Sequence, residues 1–227
     1  MKHLLIYILT LISFLSFGQN KHLNIGIKEN GICFGNSKRT NGIRFNLIDS
    51  NLTQVNGLNI AMASKSKQTN GFTFGLYTND SICNGILIDG LMGKAGKMNG
   101  VLFSSFGHFT HKFNGVGLGV FPIAGDTLNG LFMSPIGITW WNSQKIKLIN
   151  GLTVGIITGV NTEKLNGVSI GLINNVIDKQ NGLAISLINR SKELHGFQIG
   201  LWNVAENNRI FKRAPIINFN FRRKASR

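Results

Sequence analysis

An imperfect repeat built on the dipeptide Asn-Gly runs through most of this chain and limits the folds that it can adopt. The clearest copy is LNGVSIGLIN at residues 165–174, where Val168 and Ile170 alternate with Ser169 and Gly171. Successive side chains of a β-strand point to opposite faces, so this alternation predicts a strand with one bulky apolar face and one face of small residues.

The copies follow one another at a spacing that excludes helix-containing repeats. Most consecutive Asn-Gly positions lie 14 to 16 residues apart, with one early step of 11 and one late step of 21. That distance accommodates one strand and one turn. Asn and Gly tolerate a positive φ, so we interpret these pairs as turns or close backbone contacts and not as phosphate-binding loops. The clearest pairs are Asn56 and Gly57, Asn70 and Gly71, Asn150 and Gly151, Asn166 and Gly167, and Asn181 and Gly182.

The N-terminus has the pattern of a secretory signal peptide, with Lys2, an apolar run at residues 4–17 and small residues up to Gly18. The alternative, a membrane anchor, needs about 20 apolar residues, which this run lacks. The sequence therefore predicts a signal peptide at residues 1–18, a single β-repeat domain at residues 19–221 and a basic tail at residues 222–227. We expect the mature protein to be exported, to the outer membrane or the cell surface.

The formal net charge of the chain is +15, and most basic residues lie between the strand copies. Basic linkers suit contact with anionic outer-membrane lipid or surface polysaccharide, which we expect as partners. The same lysines would also keep turns soluble and discourage pairing of strand edges. Nucleic acid is not expected, because no recognised binding motif is present.

The repeat predicts an all-β fold with two main alternatives. The favoured one is an antiparallel meander of about 14 short strands, closed as an outer-membrane-type β-barrel with its bulky face towards lipid. The alternative is a parallel β-solenoid of coils of about 15 residues, with the bulky face inside and Asn and Gly ladders at the corners. A soluble β-sandwich or open meander is the third possibility.

Two observations favour the barrel and two oppose it. The early strands are spaced too irregularly for coils of constant circumference, and Gly171, Ser186 and Gly200 are smaller than the usual solenoid exterior. Against the barrel, the turns are uniformly short, and each copy has only about three outward apolar residues.

The two ends and the longest step of the repeat have their own patterns. Residues 23–27 and 32–34 predict an N-terminal hairpin, and Ile217, Phe219 and Phe221 alternate with asparagines in a closing strand. The longest step contains Trp140 and Trp141, either as an aromatic pair at a membrane interface or in a loop packed on itself.

The repeat NG-h-x-h-G-h-h-N, in which h is apolar, and the closing PIINFNF resemble a family of bacterial surface-repeat proteins. Those proteins carry signal peptides in double-membrane bacteria. The closing strand is also similar to the C-terminal strand of outer-membrane barrels, although six residues follow its last aromatic residue. The family resemblance covers most of the mature chain and implies a surface location without any particular chemistry.

The usual catalytic motifs are missing from the sequence, so neither enzymatic activity nor a cofactor is expected. His108 and His111 are candidate metal ligands, with Asp89 and Asp126 as distant oxygen ligands, but we interpret both histidines as strand-end or turn residues and expect no metal. Cys33 and Cys83 are interpreted as small apolar residues and not as a disulfide.

Arg44 and Asp89 are the candidate functional residues, because each lies on the small-residue face of its strand. In a barrel they would line the lumen and affect ion selectivity; alternatively, they are tolerated polar residues near strand ends. The leading functional hypothesis is a non-enzymatic surface protein that passes small solutes or has a structural role. The alternative is a solenoid adhesion or binding module that contacts polysaccharide or a partner protein.

Overall fold

The computed structural model describes residues 22–49, 52–136 and 145–221, and most of them lie in β-strands. The strands are β1 (His22–Ile27), β2 (Asn30–Gly35), β3 (Arg39–Ile48), β4 (Leu52–Ser104), β5 (His108–Gly119), β6 (Ile123–Met133), β7 (Ile146–Val154), β8 (Ile157–Ile170), β9 (Ile173–Ile185), β10 (Ile188–Ala205) and β11 (Arg213–Asn220). The predicted signal peptide, Trp140, Trp141 and the basic tail lie outside the described residues.

Neighbouring copies of the repeat run parallel and stack in register. The strands follow one another in sequence order from β1 to β11, and among the described strands only the terminal pairs β1–β2 and β10–β11 are antiparallel. Asn99 pairs with Asn114, and Asn114 with Asn129, in successive coils. The chain is thus a parallel β-solenoid of about 11 turns.

The predicted antiparallel barrel is therefore wrong, and the solenoid alternative is the observed fold. The irregular spacing misled because neighbouring coils align their Asn-Gly positions whatever the length of the step between them. Asn30 pairs with Asn41 across the step of 11 residues, and Asn129 pairs with Asn150 across the step of 21. A coil absorbs the difference in length elsewhere along its path, so a constant circumference is not required.

Each coil consists of two arms, which we define by the Asn-Gly position. The first arm follows Asn-Gly, and the second arm precedes the next Asn-Gly. Inward side chains of the two arms meet: the rings of Phe113, on a second arm, and Phe132, on a first arm, are 5.0 Å apart at an angle of 75°. A buried apolar cluster fills the middle of the solenoid and comprises Cys83, Leu87, Ala95, Met98, Leu102, Phe113, Ile123, Leu128, Phe132, Ile146 and Ile149.

The small-residue face points inward and the bulky face points outward, contrary to the expectation for a solenoid. Ser169 and Ala184 are completely buried, whereas the neighbouring Ile170 and Ile185 are exposed. Small and large inward residues complement each other, because Gly117 pairs in register with the completely buried Phe132 of the next coil. A Cβ at the inward Gly117 would lie only 2.9 Å from side-chain atoms of Ile123 and Phe132.

Antiparallel strands close both ends of the parallel stack. The predicted N-terminal hairpin is confirmed: β1 pairs with β2 through a turn in which Lys28 has a φ of 58°. The predicted closing strand is β11, which pairs with β10.

Candidate binding surface

The Asn-Gly pairs form two ladders along one corner of the solenoid. Asn56 donates to Asn41 and Asn70 donates to Asn56, both at 2.7 Å, and the same contact continues coil by coil to Asn181. The predicted pairs at Asn150, Asn166 and Asn181 are members of this ladder. His195 takes the next place in register and ends it.

Glycine is required beside the asparagine ladder because successive backbones come very close. Gly57, Gly71, Gly151, Gly167 and Gly182 all have φ values between 115° and 134°. A Cβ at each would lie 1.9 to 2.3 Å from the carbonyl oxygen of the glycine in the preceding coil. Both physical reasons considered for the glycines, positive φ and close approach, therefore apply at this corner.

The outward side chains of the first arm form a continuous surface that we call the apolar face. Val101, Val116 and Leu131 are paired in one row, and Phe103, Leu118 and Met133 are paired in the adjacent row. The full face comprises Leu23, Ile25, Ile32, Phe34, Ile43, Phe45, Leu58, Ile60, Phe72, Phe74, Ile86, Ile88, Val101, Phe103, Val116, Leu118, Leu131, Met133, Leu152, Val154, Val168, Ile170, Leu183, Ile185, Phe197, Ile199, Ile217 and Phe219.

The apolar face is large and contains no charged side chain at these positions. With strands about 4.8 Å apart, it extends roughly 60 Å along the solenoid. Exposed residues at the corner after the first arm widen it, among them Tyr77, Met92, Phe106, Leu187 and Trp202. Its area is on the order of 800 Å², whereas soluble monomers rarely expose apolar patches above a few hundred Å².

The outward side chains of the second arm form a contrasting surface that we call the basic arm. Lys97 and Lys112 are neighbours in register, and Lys94 lies over the ring of Phe109 at 5.9 Å. Its cations are Lys65, Lys67, Lys94, Lys97, Lys112, Lys145, Lys147, Lys164, Lys179, Arg190 and Lys192.

Several acidic groups are enclosed, which makes the outside of the solenoid more basic than the composition alone indicates. The chain has nine acidic residues, and Asp49, Asp80 and Asp89 are buried. Asp49 forms a buried ion pair with Arg44 at 2.6 Å. The second arm also carries Asp126, Glu163, Asp178 and Glu193, and Arg190 pairs with Glu206 at 3.3 Å, but the eleven cations of the basic arm outnumber these carboxylates.

Arg44 and Asp89, the sequence candidates, both lie on the inward face but in a packed interior and not along a lumen. Arg44 donates to Asn59 Oδ1 at 3.0 Å in addition to its ion pair. Asp89 accepts a hydrogen bond from Thr78 and contacts His108 Nδ1 at 2.6 Å. Because all these groups are buried, neither candidate is accessible to a solute.

The two histidines considered as metal ligands belong to separate pairs. His108 contacts Asp89 in the interior, whereas His111 contacts Asp126 at 2.9 Å on the outside. Successive residues of a strand point to opposite faces, and His108 and His111 are three positions apart, so the two imidazoles do not converge. Within the described ranges, no group of three or more His, Cys, Asp or Glu side chains could hold a metal ion.

Burial alters the pKa values of Asp80 and Cys83, and Asp80 is not among the residues singled out from the sequence. Burial raises the pKa of Asp80 to about 6, although Ser66 and Thr69 donate hydrogen bonds to its carboxylate. Burial also raises the pKa of Cys83 to about 12, which keeps the thiol protonated and unreactive. Cys33 and Cys83 are both buried and free, as predicted.

The fold and the surface define a class, a parallel β-solenoid with an apolar outer face. Comparison with protein-family models, with curated proteins and with solved structures finds no match. The resemblance to bacterial surface-repeat proteins therefore stays a prediction. No helix in the described part of the chain is long and apolar enough to cross a membrane.

Proposed function

We propose that the mature protein is an exported, non-enzymatic binding module that acts at the outer membrane or cell surface and docks through its apolar face. The observation that carries this proposal is the unbroken pair of apolar rows from β1 to β11. Such an area costs solubility unless a partner covers it.

The size and rigidity of the apolar face support a binding role. Its area of about 800 Å² matches what each partner contributes to a stable interface. Backbone pairing in every coil and the asparagine ladder hold the rows in place, so little ordering is needed on binding.

The burial of the reactive side chains supports the absence of catalysis. The Asp89–His108 pair is the arrangement most similar to an acid–base pair, and both side chains are completely buried. A general base must reach the proton that it removes, directly or through one water molecule. The same packed interior removes the basis for a solute pore, because Arg44 and Asp89 line no channel.

Binding to isolated cell envelopes tests the proposal. We would replace three outward apolar residues in one variant, Phe103→Asp, Ile170→Asp and Ile199→Asp. A matched control carries the same added charge on outward polar positions of the second arm, Ser81→Asp, Asn161→Asp and Asn175→Asp. Carboxylates in the apolar face would have to be desolvated, so we expect envelope affinity to fall at least about tenfold, equivalent to ~1.4 kcal/mol.

The control variant should lose much less affinity than the apolar-face variant, because its added carboxylates stay in water. Circular dichroism and thermal unfolding would establish that both variants keep the fold. Equal binding by the wild type and the apolar-face variant would contradict the proposed function.

A further inference from the structure

We infer that the apolar face binds an anionic lipid bilayer, on which the solenoid lies flat with this face at the boundary between headgroups and acyl chains. This inference rests on the proposed function and specifies its partner. It is carried by the arrangement of the two arms in each coil.

The two arms make the solenoid amphipathic across its thickness. Inward side chains of the arms meet, as Phe113 and Phe132 do, so the outward side chains of the two arms point away from each other. One outer surface is therefore aliphatic and aromatic, and the other carries lysines. Interfacial helices bind membranes with the same combination of an apolar face and a basic face.

The basic arm is close enough to contribute to lipid binding. Two packed sheets are about 10 Å apart, which is about one Debye length at physiological ionic strength. Lysines such as Lys97 and Lys112 would therefore feel the negative surface potential while the apolar face is inserted. The burial of Asp49, Asp80 and Asp89 removes carboxylates that would weaken this attraction.

Aromatic side chains lie at the corner beside the apolar face. Tyr77, Phe106 and Trp202 are exposed there, each next to the aliphatic rows. Tyr and Trp have an apolar ring with one polar group and favour the membrane–water interface. This corner would lie at the level of the headgroups when the solenoid lies flat.

Other occupants fit these features less well. Polysaccharide requires hydrogen-bonding groups, whereas the rows through Val116 and Leu118 present only hydrocarbon. A second copy would bring together two strongly basic mature chains, each with 23 basic and 9 acidic residues once Lys2 is removed with the predicted signal peptide. A fluid bilayer needs no shape complementarity and matches a long, uniform face.

Flotation with protein-free vesicles tests the inference directly. The full mature chain is mixed with phosphatidylcholine vesicles that contain either no anionic lipid or about 30% phosphatidylglycerol, a surface that attracts basic residues. We expect at least about fivefold more protein to float with anionic vesicles, and this preference to shrink at high salt.

Two variants separate the contributions of the two surfaces. The variant with Phe103→Asp, Ile170→Asp and Ile199→Asp should lose flotation with both kinds of vesicle. Its second-arm control carries the same added charge on the basic arm, so it should lose only the preference for anionic lipid and keep its binding to neutral vesicles. A variant with Lys97→Gln, Lys112→Gln and Lys147→Gln should lose the preference for anionic lipid while it keeps weak binding to neutral vesicles.

Absence of flotation with either vesicle, or flotation that survives the apolar-face variant, would overturn the lipid inference. If envelope binding still depends on the apolar face in that case, the proposed function stands and the partner is a protein, a polysaccharide or a second copy. Protease treatment of envelopes, periodate treatment and light scattering distinguish these three. If envelope binding is also insensitive to the variant, the proposed function fails with the inference.

Discussion

Gly115 shows at the scale of one residue why the repeat retains glycine at its corner. Its φ is 141°, and an added Cβ would lie 1.9 Å from the carbonyl oxygen of Gly100. Gly107 is a matched control, because its φ is 131° but the nearest contact of a Cβ would be 3.2 Å away. The comparison separates backbone strain from close approach of neighbouring coils.

We therefore expect Gly115→Ala to lower the free energy of unfolding by at least about 3 kcal/mol, and Gly107→Ala by about 1 to 2 kcal/mol. Denaturant unfolding of both variants measures the difference. Equal losses would show that positive φ alone, and not the stacking of glycines, determines the residue type at the corner.

Asp80 makes stability depend on pH. Its pKa is about 6 in the folded chain, above the ordinary value of 3.8, because burial disfavours the charged form. The folded state therefore holds this proton more tightly than the unfolded state, and the contribution of Asp80 to stability falls as the pH rises from about 4 to about 6.

Asp80→Asn removes this titration while keeping a similar shape. Relative to the wild type, the variant should gain about 2 kcal/mol more stability at pH 7 than at pH 4. Unfolding of both proteins at the two pH values tests this expectation. A constant difference between them would mean that Asp80 does not titrate in this range.

At the scale of the element, the asparagine ladder ties each coil to the next. Asn114 donates to Asn99 at 2.7 Å and accepts from Asn129 at 2.8 Å, whereas the terminal Asn30 only accepts from Asn41. We expect Asn114→Ala to cost about 2 kcal/mol, because it leaves two half-buried amide groups without this partner. Asn30→Ala should cost less than half as much, as measured by urea denaturation.

The closing strand β11 contains a strained residue. Ile216 has a φ of 67°, which is unusual for a β-branched side chain, and it lies next to the register shift between β10 and β11. Ile216→Gly should therefore raise the free energy of unfolding by about 1 kcal/mol. Its neighbour Ile217 is also exposed and has no positive φ, so Ile217→Gly should lower it. A loss of stability in both variants would argue against strain at Ile216.

At the scale of the whole molecule, the interior changes character along the solenoid. The apolar cluster occupies the middle coils, whereas the end coils bury polar groups such as Arg44, Asn174 and Gln198. Each coil contacts mainly its neighbours, so stability is distributed along the axis. We expect hydrogen exchange to be slowest in β5 to β7 and fastest in β1 and β11.

Substitution of core and surface phenylalanines tests where that stability resides. Phe113 is completely buried against Phe132, whereas Phe103 lies on the apolar face. Phe113→Ala should cost about 3 to 5 kcal/mol, and Phe103→Ala under about 1.5 kcal/mol. Similar losses at both positions would contradict the inward and outward assignment of the two faces.

Local pattern was sufficient to predict several elements of the fold. The alternation that starts at residue 168, the N-terminal hairpin and the closing strand depend on neighbours within a few residues. All three are strands in the structure, although β8 ends at Ile170 and Gly171 lies in a bend. The bulky rows that form the apolar face were also recognised as one face. Asp80 was missed, because no local signal separates it from an exposed aspartate on the second arm.

The sequence by itself determined the strands, their two-faced alternation and the Asn-Gly corners, since these follow from backbone geometry and side-chain size. Only the tertiary structure decided the direction of neighbouring copies and which face is inside. Parallel and antiparallel pairing of neighbouring copies would bury the same alternating pattern, so the local sequence could not distinguish the two directions. Packing of the two arms against each other then buried Ser169 and Ala184 and left Ile170 and Ile185 exposed, against the usual preference for burying the larger apolar residue.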